Sequence, residues 1–488
     1  MSAGLAHRTP IVLEHNAQRV LLHLFIAGQE DFGSPHSRAN VVLERALALS
    51  DADVHTALTE VLEKFHHRHQ DLAYWLNSHA TTIINLMPES TEISQERRQL
   101  IGAIFTHEFS TEGASLTNPS MVISGPTTNG SAPFVMSVRS IGEGHRSSIG
   151  FRTGQISQSG EVEVDTPETN IQVGLYSESK LHKRSFLDLL ENSNDLGDNA
   201  SLILNNVGEE FCVAELETQI SRLLNDRGSF RNADLTALRF RSIAERSYTV
   251  TFTSQSAVSE RILWPRSAAE WHGMEDLRLV KFTRDDNQSI YFGTYTAFDG
   301  VVVNQQMMHT LDFKTFNIFP VTGSSAQGKG IALFPRLIDG KYAALSRCDG
   351  ETNSISFSDS PDRWNTNDEL HTPKRFWEVV QVGNCGSPIE TDEGWLVITH
   401  SVGPMRTYTI GAILLDIDDP CRVIGELASP LLVPEDDSRD GYVPNVVYSC
   451  GSALHEGQLI IPFGRNDQSI GIATIPIAQV LSKMESVS

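Results

Sequence analysis

Two textures of apolar and polar positions divide the chain near residue 108. Before that point the apolar residues recur at helical spacing. From residue 37 to 65, Val41, Leu43, Leu47, Leu49, Val54, Leu58, Val61 and Leu62 mark the inner face of amphipathic helices. Val20-Leu21-Leu22-His23-Leu24-Phe25-Ile26 reads as the opening segment of this helical region, and Asp51 and Asp53 stand where an N-cap is expected. A third helix is predicted from Ser94 to about Thr106.

From Asn118 onward the pattern changes to short β-branched runs separated by Gly, Pro, Asn and Asp. Examples are residues 134–138, 289–295, 301–303, 342–346, 354–358, 394–399, 411–416 and 458–463. Such strands predict a sandwich, a barrel or a propeller. Residues 180–192 and 214–227 return to helical spacing and predict a helical insertion at about 180–230. A loose unit repeats at roughly 40–60 residues, the scale of a propeller blade. It is seen by comparing Met308-His309-Thr310-Leu311-Asp312-Phe313 with Ser356-Phe357-Ser358-Asp359-Ser360-Pro361. Periodicity alone leaves a β-sandwich open.

Composition narrows the function. The 488 residues exceed one compact core, so an accessory piece beside a large domain is expected. A net charge of −23 without a basic cluster argues against nucleic acid or an anionic membrane as partner. No apolar run reaches the roughly 18 residues of a membrane span, and the first ten residues lack a signal-peptide core. Cys212, Cys348, Cys385, Cys421 and Cys450 are scattered, as reduced thiols of a cytoplasmic protein would be. His272, His400 and His455 lack metal-ligand spacing, so no metal is expected, nor is any cofactor.

The chemistry concentrates in Trp271-His272-Gly273-Met274-Glu275-Asp276-Leu277-Arg278, just before the apolar run Leu279-Val280-Lys281-Phe282. Adjacent carboxylates at a strand mouth are hard to explain as packing, because successive side chains point to opposite faces. A carboxylate beside an arginine has a tuned pKa, which acid or base work requires. Gly142-Glu143-Gly144-His145 is also conspicuous and receives no role from the sequence.

Further motifs carry a resemblance. They are Lys329-Gly330-Ile331-Ala332-Leu333-Phe334-Pro335-Arg336, Gly340-Lys341-Tyr342 through Ser346-Arg347, and Gly383-Asn384-Cys385-Gly386-Ser387-Pro388-Ile389-Glu390. Leu414-Leu415-Asp416 and Gly441-Tyr442-Val443-Pro444-Asn445-Val446-Val447-Tyr448 complete the order. Residues 109–488 thereby resemble the mannoside phosphorylases of glycoside hydrolase family 130. The resemblance implies a five-bladed β-propeller over 109–488; with the helical spacing read above, the expected fold is mainly β, the propeller carrying the helical insertion and preceded by an N-terminal α-helical region over 1–108. It implies Asp276 as general acid, with Glu275 and Arg278 beside it. It implies Asn118, Arg139 and Asp467 as residues that hold the mannosyl unit, and Lys329, Arg347 and His400 as a phosphate cradle. Three positions depart from the family pattern: Leu277 replaces Pro, Gly330 replaces Asn, and Arg336 replaces Glu.

The implied activity is inverting phosphorolysis of β-mannosides, β-1,2-linked manno-oligosaccharides foremost, giving α-mannose 1-phosphate. Its partners are the oligosaccharide and inorganic phosphate as co-substrate, in a homo-oligomer. One acid suffices, because phosphate is itself the nucleophile, whereas an inverting hydrolase needs a second carboxylate to activate water. A β-mannosidase using Glu351, Glu390 or Glu393 as base is the nearest rival. A non-catalytic carbohydrate-binding propeller is the second, and it has no use for Asp276.

Overall fold

The β-branched runs form five successive antiparallel meanders among the described residues. In this computed structural model the described residues are 4–26, 37–69, 71–86, 93–225, 232–284, 286, 288–435 and 440–487. The first blade comprises Ser115–Ile123, Ala132–Ile141, Ser147–Ile156 and Val162–Val164. The second comprises Gly273–Thr283, Ser289–Phe298, Val303–Thr310 and Thr315–Pro320. The third runs Ala332–Leu333, Tyr342–Ser346, Asn353–Ser358 and Asp368–His371. Gln381–Asn384, Gly394–Val402, Tyr408–Leu415 and Val423–Leu427 make the fourth. In the fifth, Val447–Tyr448 and Ala453–His455 share the partner Gln458–Arg465, which pairs with Ser469–Pro476. Aspartates close several hairpins: Asp299, Asp312, Asp349 and Asp416 each accept two amides of the following turn.

The strand pleat explains how the blades assemble. Successive residues face opposite sides of a blade, so each side packs against a different neighbour. In the fourth blade Trp395 and Val397 pack with Phe334 and Leu345 of the third. Leu396 and Ile398, one residue out of phase, pack with Ile461 and Phe463 of the fifth. The same interleaving joins the first blade to the second through Phe151, Leu277 and Tyr295, and the second to the third through Phe292 and Leu333. Phe134 and Met136 of the first blade pack with Ile460 and Ile472 of the fifth, so the ring closes as a five-bladed propeller. Each fully buried Leu, Ile or Phe in these seams contributes about 1.5–3 kcal/mol.

The N-terminal strand joins the fifth blade, whereas the last strand, Met484–Ser486, pairs with Val423–Leu427 of the fourth. His7–Leu13 pairs antiparallel with Ser469–Pro476, supplying the fifth blade's outer strand. The helical texture assigned to residues 1–108 therefore fails for the described residues 4–16, which belong with the propeller. The expected opening helix over 20–26 also fails. Val20–Leu24 is a strand paired with Thr106–Ser110, and Arg19 beside it makes a fully buried ion pair with Glu112 at 2.8 Å. A β-branched start and a strand partner some eighty residues away overrode the apolar run.

Residues 17–113, with 169–171, form a separate compact unit. Its helices are Arg38–Ala48, Asp51–Phe65, Leu72–Ile84 and Gln95–Ile104. The caps are serines rather than the expected aspartates: Ser37, Ser50 and Ser94 each accept the amide three residues on. Asp51 and Asp53 instead fill a first turn, where the helix dipole favours them. Leu72–Ile84 escaped the sequence reading; it crosses Gln95–Ile104 so closely that a Cβ on Gly102 would meet the Leu76 carbonyl.

The insertion holds Lys183–Asn192, Asp198–Asn205, Val213–Asn225 and Ala233–Ala244 around Phe186, Leu190, Leu216 and Phe240. Two of these helices match the expected segments, although residues 226 and 227 lie outside the described residues. It springs from the paired strands Leu175–Glu178 and Tyr248–Thr251, which widen the second blade. Buried Asp188 anchors it, accepting Arg363 Nε at 2.6 Å and Thr322 Oγ1 at 3.0 Å.

Candidate active site

Glu275 and Asp276 escape strand alternation through a β-bulge. Along Gly273–Thr283 the pairing slips between Glu275 and Arg278, and Asp276 takes a left-handed φ of 57°. Both carboxylates therefore meet one guanidinium: Arg139 Nη2 lies 2.6 Å from Glu275 Oε1 and Nη1 lies 3.5 Å from Asp276 Oδ1. Strand Ser115–Ile123 repeats the device, slipping between Thr117 and Ser120 with Asn118 at φ 48°. Asn118 Nδ2 donates to Asp276 Oδ1. Asp467, on a left-handed turn after the strand Gln458–Arg465, receives the Thr117 hydroxyl at 3.2 Å. Lys329 Nζ lies 2.9 Å from Glu275 Oε2, so Glu275 bridges two cations.

The remaining predicted residues join the same network. Arg278 donates to the Asp276 carbonyl at 3.2 Å and to Tyr448 Oη at 2.9 Å. The rings of Tyr448 and His400 lie 4.8 Å apart. His400 Nδ1 is 3.0 Å from the Asn384 carbonyl, which only a protonated Nδ1 can satisfy. Its Nε2 is left to accept from Arg347 Nη1 at 3.2 Å. Asn384 Nδ2 reaches the Gly330 carbonyl at 2.7 Å, tying the Lys329 turn to this side. Gly383 is required beneath them, because a Cβ there would lie 2.6 Å from His400 and 3.2 Å from Arg347.

Thus Asn118, Arg139, Glu275, Asp276, Arg278, Lys329, Arg347, His400 and Asp467 converge from five blades. Sequence reading assigned no role to Tyr448, Asn384 or Gly383, although all three lie in the quoted motifs. Nothing in an isolated Tyr or Asn signals which way it faces.

The electrostatics follow from burial and neighbours. Burial pushes the Asp276 carboxyl up, but Arg139, Lys329, Arg278 and the Asn118 hydrogen bond together hold it below the usual range. Burial pushes Asp467 up, and the Asp276 charge adds to that against the pull of Arg139. Burial, then Arg347 and Arg278, hold His400 far below the ordinary imidazole value, so it is neutral. Burial drives the Tyr448 phenol well above its usual range.

A buried acid among cations, set at a propeller axis, invites comparison with known proteins. The family profile described as β-1,4-mannooligosaccharide phosphorylase matches residues 240–486. The chain belongs to glycoside hydrolase family 130. A 1,2-β-oligomannan phosphorylase from Thermoanaerobacter sp. (strain X514) is 33% identical over 215 residues, 43% of this chain and 71% of that protein. A β-1,2-mannobiose phosphorylase from Listeria innocua serovar 6a is 28% identical over 263 residues, 51% of this chain and 70% of that protein. A β-1,2-mannobiose phosphorylase from the same Thermoanaerobacter strain is 33% identical over 213 residues, 42% and 67% respectively.

The three departures from the family 130 pattern now have physical accounts. Leu277 is buried in the seam between the first two blades, where an apolar side chain fits. Gly330 adopts φ 96°, a conformation that strains any side chain, and its nearest neighbour there is Arg278. Arg336 pairs with Glu390 at 2.8 Å and stacks on Trp395. Glu390 faces Trp395 in register, five residues before His400, so this pair sits about 17 Å along the strand from the cluster.

Proposed function

We propose that the protein is an inverting β-mannoside phosphorylase acting on β-1,2-linked manno-oligosaccharides. The observation that carries this reading is the company Asp276 keeps. Lys329, Arg278, Arg347 and His400 join one network with it, and its neighbouring carboxylate, Glu275, is already bound by Arg139 and Lys329. Asn118, Arg139 and Asp467 hold the mannosyl unit through its hydroxyls. Lys329 and Arg347 receive phosphate, as point charge and fork respectively. A neutral His400 orients the Arg347 fork.

A phosphate oxygen attacks the anomeric carbon as the bond to the glycosidic oxygen breaks. A sugar hydroxyl relays the proton from Asp276, giving its own proton to that departing oxygen as it takes up the one from the carboxyl. Attack from the face opposite the leaving group turns a β-mannoside into α-mannose 1-phosphate. Because Asp276 is ionised in the protein alone, phosphate binding has a second task. Its negative charge offsets the nearby cations and raises the Asp276 pKa toward the protonated form.

The linkage is supported by the β-1,2-specific names of the first three relatives. Two of the carboxylates that a hydrolase could use, Glu390 and Glu393, flank the far end of strand Gly394–Val402 from His400. Cytoplasmic placement and a homo-oligomeric state belong to the same proposal. Among the described residues, no helix is long and apolar enough to cross a membrane. The test is incubation with β-1,2-mannobiose, with and without phosphate. Phosphate-dependent α-mannose 1-phosphate is expected. Free mannose at the same rate without phosphate would replace this reading with a mannosidase that uses Glu351 as base.

A further inference from the structure

The turn Gly142-Glu143-Gly144-His145, which the sequence left without a role, has a structural twin. Residues 142–146 follow the second strand of the first blade, and residues 403–407 follow the second strand of the fourth. Gly142 and Gly403 share one conformation, φ −107° and ψ −157° against φ −108° and ψ −166°. Gly144 and Met405 are both left-handed, at φ 66° and 57°, as are His145 and Arg406, at φ 61° and 54°. Each turn is closed by its first glycine, whose amide donates to the carbonyl four residues on at 3.0 Å. Beyond that glycine the two sequences share nothing. Non-glycine residues persist at left-handed φ only where the surroundings over-determine them, and they gather at functional sites.

In the closed ring the first and fourth blades flank the fifth, so the twin turns stand on either side of its loop 440–446. Tyr442 of that loop hydrogen-bonds His145, with the rings 5.6 Å apart. On the other side, the residue after the second turn, Tyr408, donates its amide to the Asn445 carbonyl at 2.9 Å. Asn466 holds the loop from below, its carbonyl accepting the Val443 amide and its side chain reaching the Asp440 carbonyl, both at 2.9 Å. The next residue is Asp467, whose carboxyl feels the Arg406 guanidinium. The first turn begins one residue after the strand bearing Arg139 and leads into Ser147, which accepts Arg139 Nε at 3.0 Å. His145, Tyr442 and Arg406 therefore border the Arg139–Asp467 side of the cluster, and all three are exposed.

We propose that His145, Tyr442 and Arg406 form the subsite for the sugar on the leaving-group side of the scissile bond. The inference rests on the phosphorylase reading above. A neutral sugar presents hydroxyls around its rim and C–H bonds on its faces. A guanidinium fork and an imidazole–phenol pair suit the first, and an exposed phenol ring suits the second. Among the described residues none of the three hydrogen-bonds a side chain proposed to handle phosphate or the mannosyl unit, so their main effect should fall on the acceptor.

The test runs the reaction in the synthetic direction, with α-mannose 1-phosphate as donor, mannose or β-1,2-mannobiose as acceptor, and released phosphate as readout. Arg406→Ala and His145→Ala should each raise the acceptor KM about tenfold, as loss of a charged or shared hydrogen bond does. The donor KM should stay where it is, and Arg406→Lys should recover part of the loss. Tyr442→Phe, which keeps the ring and removes only its hydroxyl, should give a smaller rise. No phosphate release by the wild type would refute the phosphorylase reading itself. Release by the wild type with acceptor KM unmoved in the variants, or with donor and acceptor KM rising together, would overturn this subsite.

Discussion

Asn118 and Asp276 occupy the same bulge on the innermost strands of adjacent blades, and the amide of one donates to the carboxylate of the other. Each sits at a left-handed φ, 48° and 57°. Asn and Asp tolerate that conformation better than other side chains, so the bulge and the polar residue are selected together. The bulge also turns each side chain out of the apolar seams between blades.

Replacing Asp276 with Asn tests the acid directly. The amide is nearly isosteric and also tolerates the left-handed backbone, so the fold should survive. It cannot supply a proton, and a general acid is worth about 10²–10⁴ in rate. The expected result is an unchanged melting temperature with turnover of β-1,2-mannobiose reduced by that factor. Near-normal turnover of this unactivated substrate would remove Asp276 from the chemistry.

The proposed cationic cradle makes a separate prediction. Lys329→Met or Arg347→Met should raise the phosphate KM about tenfold or more, since a hydrogen bond to a charged group is worth about 1.5–3 kcal/mol. His400→Phe should act through Arg347 and produce a smaller rise, because its Nε2 accepts from the guanidinium. Steady-state kinetics with phosphate varied at saturating mannoside would decide. Equal increases in mannoside KM would mean that these residues hold the sugar instead.

The low Asp276 pKa fixes the direction of a pH effect. A general acid loses activity as pH rises through its pKa. In the free enzyme Arg139, Lys329 and Arg278 outweigh burial and hold that pKa down. The alkaline limb of kcat/KM for phosphate should therefore fall at lower pH than the limb of kcat, measured with phosphate bound. Removing one cation weakens the depression, so Lys329→Met should move the kcat/KM limb to higher pH. A move to lower pH would show that another group carries the limb.

How much of this was legible in the sequence depended on whether the signal was local. The strand 342–346 and the helices over 38–48, 51–65 and 95–104 follow from periodicity within one element. The nine candidate site residues were named through motif order, and the network that joins them needed the three-dimensional path. Asp276 next to Glu275 looked anomalous because alternation should have separated them, and the bulge resolves the anomaly. Two signals were absent. Tyr448 and Asn384 carry no mark of facing Arg278 and Gly330. The twin turns at 142–146 and 403–407 share a backbone without sharing a sequence beyond the first glycine. The pairing of Val20–Leu24 and of His7–Leu13 with distant strands was equally silent, because register between remote segments is a tertiary property.

That last strand supports a prediction about where the chain can be shortened. His7–Leu13 completes the fifth blade, and Leu5 and Ala6 pack against the seam between the fourth and fifth blades. Removing residues 1–16 would strip the hydrogen-bond partner from Ser469–Pro476 and leave a long, apolar edge strand, which is an aggregation hazard. The same strand carries Ile470 and Ile472 into the seam with the first blade, so loosening it weakens ring closure. Asp467, two residues before it, would lose its fixed position beside Thr117. The expected outcome is a lower melting temperature, a rise in aggregated material on size-exclusion chromatography, and reduced activity. Adding a peptide of residues 1–16 in trans should restore part of each. A truncated protein with the stability, solution mass and turnover of the full chain would mean that the fifth blade is held without its outer strand.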